Sequence, residues 1–189
     1  MLHAVMYRSD LAYLHNQLGT IAASLTKNDE AVEHFERALE IGELDTTTWS
    51  FYATALHFGG QPQRAAPAFR KAVELGEAAL VKDPDNPEIL AGVAGSLGML
   101  GETERGLELA EKAARQTITD PEIMAAVAES FEDLGSRDRA LEWIGRALKD
   151  GLPPVWVERR PSLQEMRADP RYQAAVMDRF IDGSKRKEN

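Results

Sequence analysis

The sequence contains no cysteine. That absence excludes a disulfide framework, a thiolate metal site and a cysteine nucleophile, and it fits a reducing compartment. Long hydrophobic runs are missing too, since no stretch approaches the roughly 18–20 apolar residues of a membrane span. The opening MLHAVMYRSD has too short an apolar stretch and no basic lead, so a signal peptide is not expected and a cytoplasmic location is. No segment alternates apolar and polar residues at period two, which leaves no solvent-facing strand to predict. Basic excess is also absent. The chain has 22 Lys and Arg against 31 Asp and Glu, a net charge of −9, and so no general electrostatic reason to bind nucleic acid or an anionic membrane. Residues 1–45 carry a net −5 and residues 121–154 a net −3, whereas residues 155–189 carry +2 and end in SKRKEN. That hexamer reads as a solvated, frayed terminus rather than a phosphate contact.

The residues that catalysis needs are equally sparse. The histidines are His3, His15, His34 and His57, and no two share a helical turn at metal-ligand spacing. No Ser/His/Asp set has usable spacing, and no glycine-rich loop follows a strand. The stretch GVAGSLGMLG, Gly92–Gly101, lies inside a helical pattern, where its glycines serve packing and helix ending; GETERG is a turn between two helices. No catalytic residue, metal or cofactor is expected.

What the chain does contain is a period. Asp29–Leu39, DEAVEHFERAL, returns as QPQRAAPAFRKAV, Gln61–Val73: Ala31, Phe35 and Ala38 match Ala65, Phe69 and Ala72 at an offset of 34 residues. Gly101, Gly106 and Ala113 match Gly135, Ala140 and Ala147 at the same offset. A fixed period of this size marks a repeat array. Helical punctuation agrees. Over residues 8–25, Leu11, Leu14, Leu18, Ile21, Ala22 and Leu25 recur at three and four, predicting an amphipathic helix. Asn28 and Asp29 are candidate caps of a second helix ending at Gly42. Asp45–Thr48 cap a third that runs through Phe58 to Gly59-Gly60, and Pro62 opens a fourth. Pro67, deeper in the fourth, should bend it or mark a late start. After the turn DPDNP, helices are predicted at 88–100, 103–116, from 121 to Gly135, and at 137–149. Connections of about three to five residues force antiparallel neighbours, and one hairpin cannot cover its own apolar faces, so hairpins must stack.

The small and aromatic residues in this phase resemble the tetratricopeptide repeat family. Its pattern is carried here by Leu18-Gly19, Ala31, Phe35 and Ala38; by Trp49, Tyr52-Ala53, Gly60, Ala65, Phe69 and Ala72; by Leu90, Val93-Ala94, Leu97, Gly101, Gly106, Ala110 and Ala113; and by Met124, Val127-Ala128, Phe131, Gly135, Ala140, Ile144 and Ala147. The resemblance implies an all-α, right-handed α-solenoid of four helix hairpins plus C-terminal capping helices. Residues 1–11 would be a helical lead-in, and the repeats would cover 12–45, 46–79 with an extension at 80–86, 87–120 and 121–154. A cap over 155–182 and a basic, disordered tail over 183–189 would follow. The step from Ala65 to Gly106 carries seven extra residues, nearly two helical turns, so the fourth helix should be extended through about Lys82. The third repeat has Ala110 where a large residue is usual and should pack more thinly. The tail resembles the closing segment of bacterial multidomain repeat proteins, with Asp169 capping and Pro170 opening a last helix, and with Trp156, Leu163, Met166, Tyr172, Val176 and Phe180 covering the array's end.

In this family ligands lie in a concave groove lined by the first helix of each hairpin. The matching positions include Tyr13, Asn16, Thr20 and Ser24, then Thr47, Ser50, Thr54, His57 and Phe58, then Glu88, Ala91, Gly95 and Met99, then Glu122, Ala125, Glu129, Glu132 and Asp133. The expected ligand is a protein or peptide, apolar in its centre over Ala91 and Gly95 and basic at the end facing Glu129, Glu132 and Asp133. His57 is the one histidine expected to touch it. The Lys, Arg and Asn side chains by which co-chaperone relatives grip a carboxylate are absent apart from Asn16, with Thr20 and Glu88 standing where Asn and Lys would help. The alternative is a structural or self-associating segment, or the regulatory part of a larger bacterial signalling protein related to kinases or transcription factors.

Overall fold

The computed structural model describes residues 2–42 and 45–185, with side chains described over 10–42 and 45–178. All regular structure among the described residues is helical, and no helix is long and apolar enough to cross a membrane. The chain is an all-α helical repeat of paired helices with extra C-terminal helices. It divides into two compact units, Met1–Lys82 and Asp83–Asn189, at the DPDNP turn, beside the seven added residues.

The first unit pairs α1 (Leu2–Ser24) with α2 (Asn28–Ile41), and α3 (Thr46–Phe58) with α4 (Pro62–Leu80). Phe35, fully buried, fills the centre and meets the Tyr52 ring edge-on at 6.2 Å. A Cβ added at Gly19 would lie 2.8 Å from the Phe35 ring, which explains the small residue there. Asp45 caps α3 by accepting the Thr48 N–H at 2.8 Å. The seven added residues lengthen α4, as expected, and the helix reaches Leu80. Pro67 lies inside this continuous helix, so the late start is not observed.

In the second unit α5 (Pro87–Met99) pairs with α6 (Thr103–Ala114), and α7 (Pro121–Asp133) with α8 (Arg137–Lys149). Asn86 and Asp120 cap α5 and α7 by accepting the N–H groups of Ile89 and Glu122 at 3.1 and 2.8 Å, each with proline at the first helical position. The small residues of α6 do not stand alone, because the Leu134 side chain reaches Gly106 from the end of α7. The cap consists of α9 (Pro154–Glu158), a 3-10 turn at Pro161–Leu163, α10 (Gln164–Arg167) and α11 (Pro170–Lys185), with α11 packed on α8. Leu163, Met166 and Tyr172 are buried as expected. Trp156 is only half-buried; α9 turns Val157 inward instead, and the Arg160 guanidinium stacks 4.1 Å from the Trp156 ring centre. Asp169 accepts the Arg171 N–H at 2.9 Å, and hydrogen bonding from Arg171 lowers its carboxyl to about 2. Residues 183–185, expected to begin a disordered tail, instead form the last turn of α11, because the helix opened at Pro170 continues with no proline to break it; the Phe180 side chain and residues 186–189 lie outside the described residues.

Each hairpin turn repeats one backbone device. The N–H groups of Lys27, Gln61, Glu102 and Ser136 bond to the carbonyls of Ala22, Leu56, Leu97 and Phe131, at 3.0, 2.8, 2.9 and 2.8 Å. The preceding residue is left-handed each time: Thr26 at φ 58°, then Gly60, Gly101 and Gly135 at 76°, 79° and 74°. In the first hairpin this device overrides the capping expected of Asn28 and Asp29. Lys27 takes the cap position without capping a backbone N–H through its side chain, and Asn28 is already helical.

The expected apolar face of α1 behaves differently from the prediction. Only Ala22 of that set is buried; Leu11, Leu14, Leu18, Ile21 and Leu25 are 45–55% exposed. The α2 helix covers the Gly19 and Ala22 side, whereas the leucine side belongs to the first hairpin's outer face, which no earlier hairpin among the described residues covers.

Candidate groove and its ion pairs

In the second unit, α5 and α7 lie against each other because their facing residues are small. A Cβ at Gly98 would stand 2.9 Å from the Asp133 carbonyl oxygen, and one at Gly95 would stand 3.1 Å from the Asp133 carboxylate. Ala91 is 2% exposed and Ala125 is fully buried. The space over Ala91 and Gly95 is therefore helix contact rather than an open trough, and Asp133 occupies the gap that Gly95 leaves.

The acidic residues at this end have distinct surroundings. Glu129 accepts from Ser162 Oγ at 2.5 Å and from Arg160 at 3.3 Å, both supplied by the cap. Glu132 takes a two-pronged bond from Arg137, at 2.7 and 2.5 Å. Asp133 has no hydrogen-bond or ion-pair partner among the described residues. Burial first, and then the charges of Glu129 and Glu132, push its carboxyl well above the usual carboxylate range, and Arg160 pulls it back only in part. One carboxyl group is thus held in a crowded, partly desolvated position without a counter-charge of its own.

The first unit presents polar, uncharged groups. Thr20 Oγ1 donates to the Asn16 carbonyl at 3.1 Å and Ser24 Oγ to the Ile21 carbonyl at 2.8 Å. The Asn16 Oδ1 is buried with no hydrogen-bond partner. Ser50 and Thr54 are half-buried on α3, and the exposed His57 ring stands edge-on to Phe58 with centroids 5.1 Å apart. His15 occupies the core position matching Trp49 but is only half-buried, and its Nδ1 lies 3.2 Å from Nδ1 of His34. This pair, 19 residues apart, escapes any rule based on spacing within one helix.

Sequence reading also misses a recurring ion pair. Arg64 of α4 binds Glu36 of α2 and donates to Tyr52 Oη at 2.9 Å. Arg139 of α8 grips both carboxylate oxygens of Glu111 on α6, at 2.9 and 2.8 Å. Glu111 and Arg139 sit at the repeat positions of Glu36 and Arg64, so each unit ties its two outer helices with the same device. The signal was present as a Glu and an Arg separated by 28 residues, twice. Among the described residues no group of three or more His, Asp or Glu could hold a metal ion.

Comparison with known proteins points one way. A family model described as Tetratrico peptide repeat matches residues 49–154, and a second, Tetratricopeptide repeat, matches residues 12–41. No curated protein matches the chain. Among solved structures, PilF of Pseudomonas aeruginosa is similar at 20% identity over 93% of this chain and 78% of that one, with a TM-score of 0.52. A putative kinesin light chain with TPR-like repeats, from Podosopora anserina, shares 17% identity over 96% and 99% of the two chains, with a TM-score of 0.49. YrrB, described as a TPR protein with an unusual peptide-binding site, shares 20% identity over 78% and 73%, with a TM-score of 0.42. At these identities the likeness concerns the fold.

Proposed function

Because this chain belongs to the tetratricopeptide repeat family, whose fold is a non-catalytic scaffold that supports protein–protein interaction, we propose that it binds a peptide or partner segment along the first helices of its hairpins, with a basic side chain of the ligand meeting Asp133. The observation that carries this reading is the difference among three neighbouring acids. Arg160 with Ser162, and Arg137, neutralise Glu129 and Glu132 from within the chain. Asp133 is left, among the described residues, as the carboxyl group without a partner on the line where α5 and α7 meet. An arginine or lysine brought there gains a charge-assisted bond in a weakly screened position and relieves the repulsion from Glu129 and Glu132. The hydroxyls and amide of Asn16, Thr20, Ser50 and Thr54, with His57, would offer uncharged hydrogen bonds to a ligand seated on the first unit.

A displayed random-peptide library tests the proposal. Wild-type protein should enrich sequences with one recurrent Arg or Lys position, and Asp133→Asn should lose that preference while Glu108→Gln, on the exposed side of α6, keeps it. Equal enrichment by wild type and Asp133→Asn would defeat the reading.

A further inference from the structure

Leu11, Leu14, Leu18, Ile21 and Leu25 form one stripe along α1, spaced three, four, three and four, and all are about half exposed. That spacing is the seam of paired helices. The equivalent positions show what such a stripe ordinarily does. Tyr52 and Ala55 on α3 match Leu18 and Ile21 and are buried; Val127, Ser130 and Leu134 on α7 match Leu18, Ile21 and Leu25 and are buried as well. In each unit, the hairpin before α3 or α7 packs against that helix. The stripe on α1 therefore has the form of a surface built to be covered by a helix.

We propose that a second copy of this chain covers it, stripe against stripe about a two-fold axis that passes near Leu18. Three observations select this occupant. Residues 11–25 contain no Asp, Glu, Lys or Arg, in a chain of net charge −9, so two copies can meet here without the repulsion they would feel elsewhere. Head-to-tail stacking onto α8 is blocked, because α11 already packs there. A two-fold contact uses the same patch twice and closes on itself, as a self-complementary leucine stripe allows. The area sets the strength. Five side chains at half exposure offer on the order of 450 Å² per copy, short of the roughly 800 Å² per partner of a standard interface, so the dimer should depend on concentration. This surface is separate from the Asp133 line and does not rest on the groove reading.

Sedimentation over a wide concentration range is the test. Wild type should pass from monomer to dimer as concentration rises into the micromolar range. Leu14→Glu combined with Leu18→Glu and Ile21→Glu should raise the dissociation constant at least ~100-fold, because like charges would then face one another. Its helical circular dichroism should be unchanged, since these side chains do not fill the core. The cysteine-free chain supplies a second readout: Leu18→Cys should oxidise to a disulfide-linked dimer, while Glu108→Cys should not. Wild type that stays monomeric at every concentration would overturn the proposal. So would a dimer that survives the triple substitution, or a Leu18→Cys protein that links no better than Glu108→Cys.

Discussion

Thr26 occupies a backbone conformation that the other three hairpins reserve for glycine. A β-branched residue at positive φ brings its Cβ against the adjoining carbonyl, a strain of order 1–3 kcal/mol. Thr26→Gly should therefore stabilise the first hairpin by about 1 kcal/mol, after allowing for glycine's greater freedom in the unfolded chain. Urea unfolding measures this, and a loss of stability would show that the Thr26 side chain contributes more than its backbone costs. Asp133 carries the second residue-level prediction. Its carboxyl is raised in the folded state by burial and by Glu129 and Glu132, so the folded chain binds this proton more tightly than the unfolded chain does. The associated stability is full below the unfolded value, about 3.9, and is lost as pH climbs through the folded value. Asp133→Asn should remove this slope, with a gain in Tm over wild type that is small near pH 4 and larger near pH 8. A difference independent of pH would contradict the buried-charge account.

At the scale of the element, α5 shows how one helix uses the same residue for two purposes. Gly92 faces open space, while a Cβ at Gly98 would press on the Asp133 backbone at 2.9 Å. Gly92→Ala should stabilise by roughly 0.5–1 kcal/mol through helix propensity alone. Gly98→Ala receives the same gain but must part α5 from α7, an overpacking cost of about 1–3 kcal/mol, so its net effect should be destabilising. Thermal melts of the two variants, made in one helix, should shift in opposite directions. The Glu111–Arg139 pair joins two helices where pairs three residues apart, such as Lys71–Glu74, decorate one; at a third or more exposure it is worth at most about 1 kcal/mol. It links α6 to α8 across successive hairpins.

For the whole molecule, stability rests on neighbour covering neighbour, and the cap is the last such contact. Deleting residues 155–189 should uncover the face of α8 on which α11 packs, with a lower Tm and stronger binding of an apolar dye. An unaltered melt would mean that α8 needs no cover. The order, type and phase of the helices, and the lengthening of α4, were legible in residues 8–185 because they follow from local rules: proline and aspartate at helix starts, glycine at ends, and small residues every 34 positions where helices touch. The same rules could not tell which apolar stripe would find a partner. Leu14 and Leu18 read like core and lie half exposed, whereas Ala91 and Gly95 read like groove and are spent on helix contact. Nor could they show that Glu129 and Glu132 are neutralised by Arg160 and Arg137 while Asp133 is not. Chain sequence alone determined the repeat, since periodicity is a property of the string. Tertiary structure decided the free surfaces and free charges, since whether a side chain is satisfied depends on atoms far along the chain that only folding brings near.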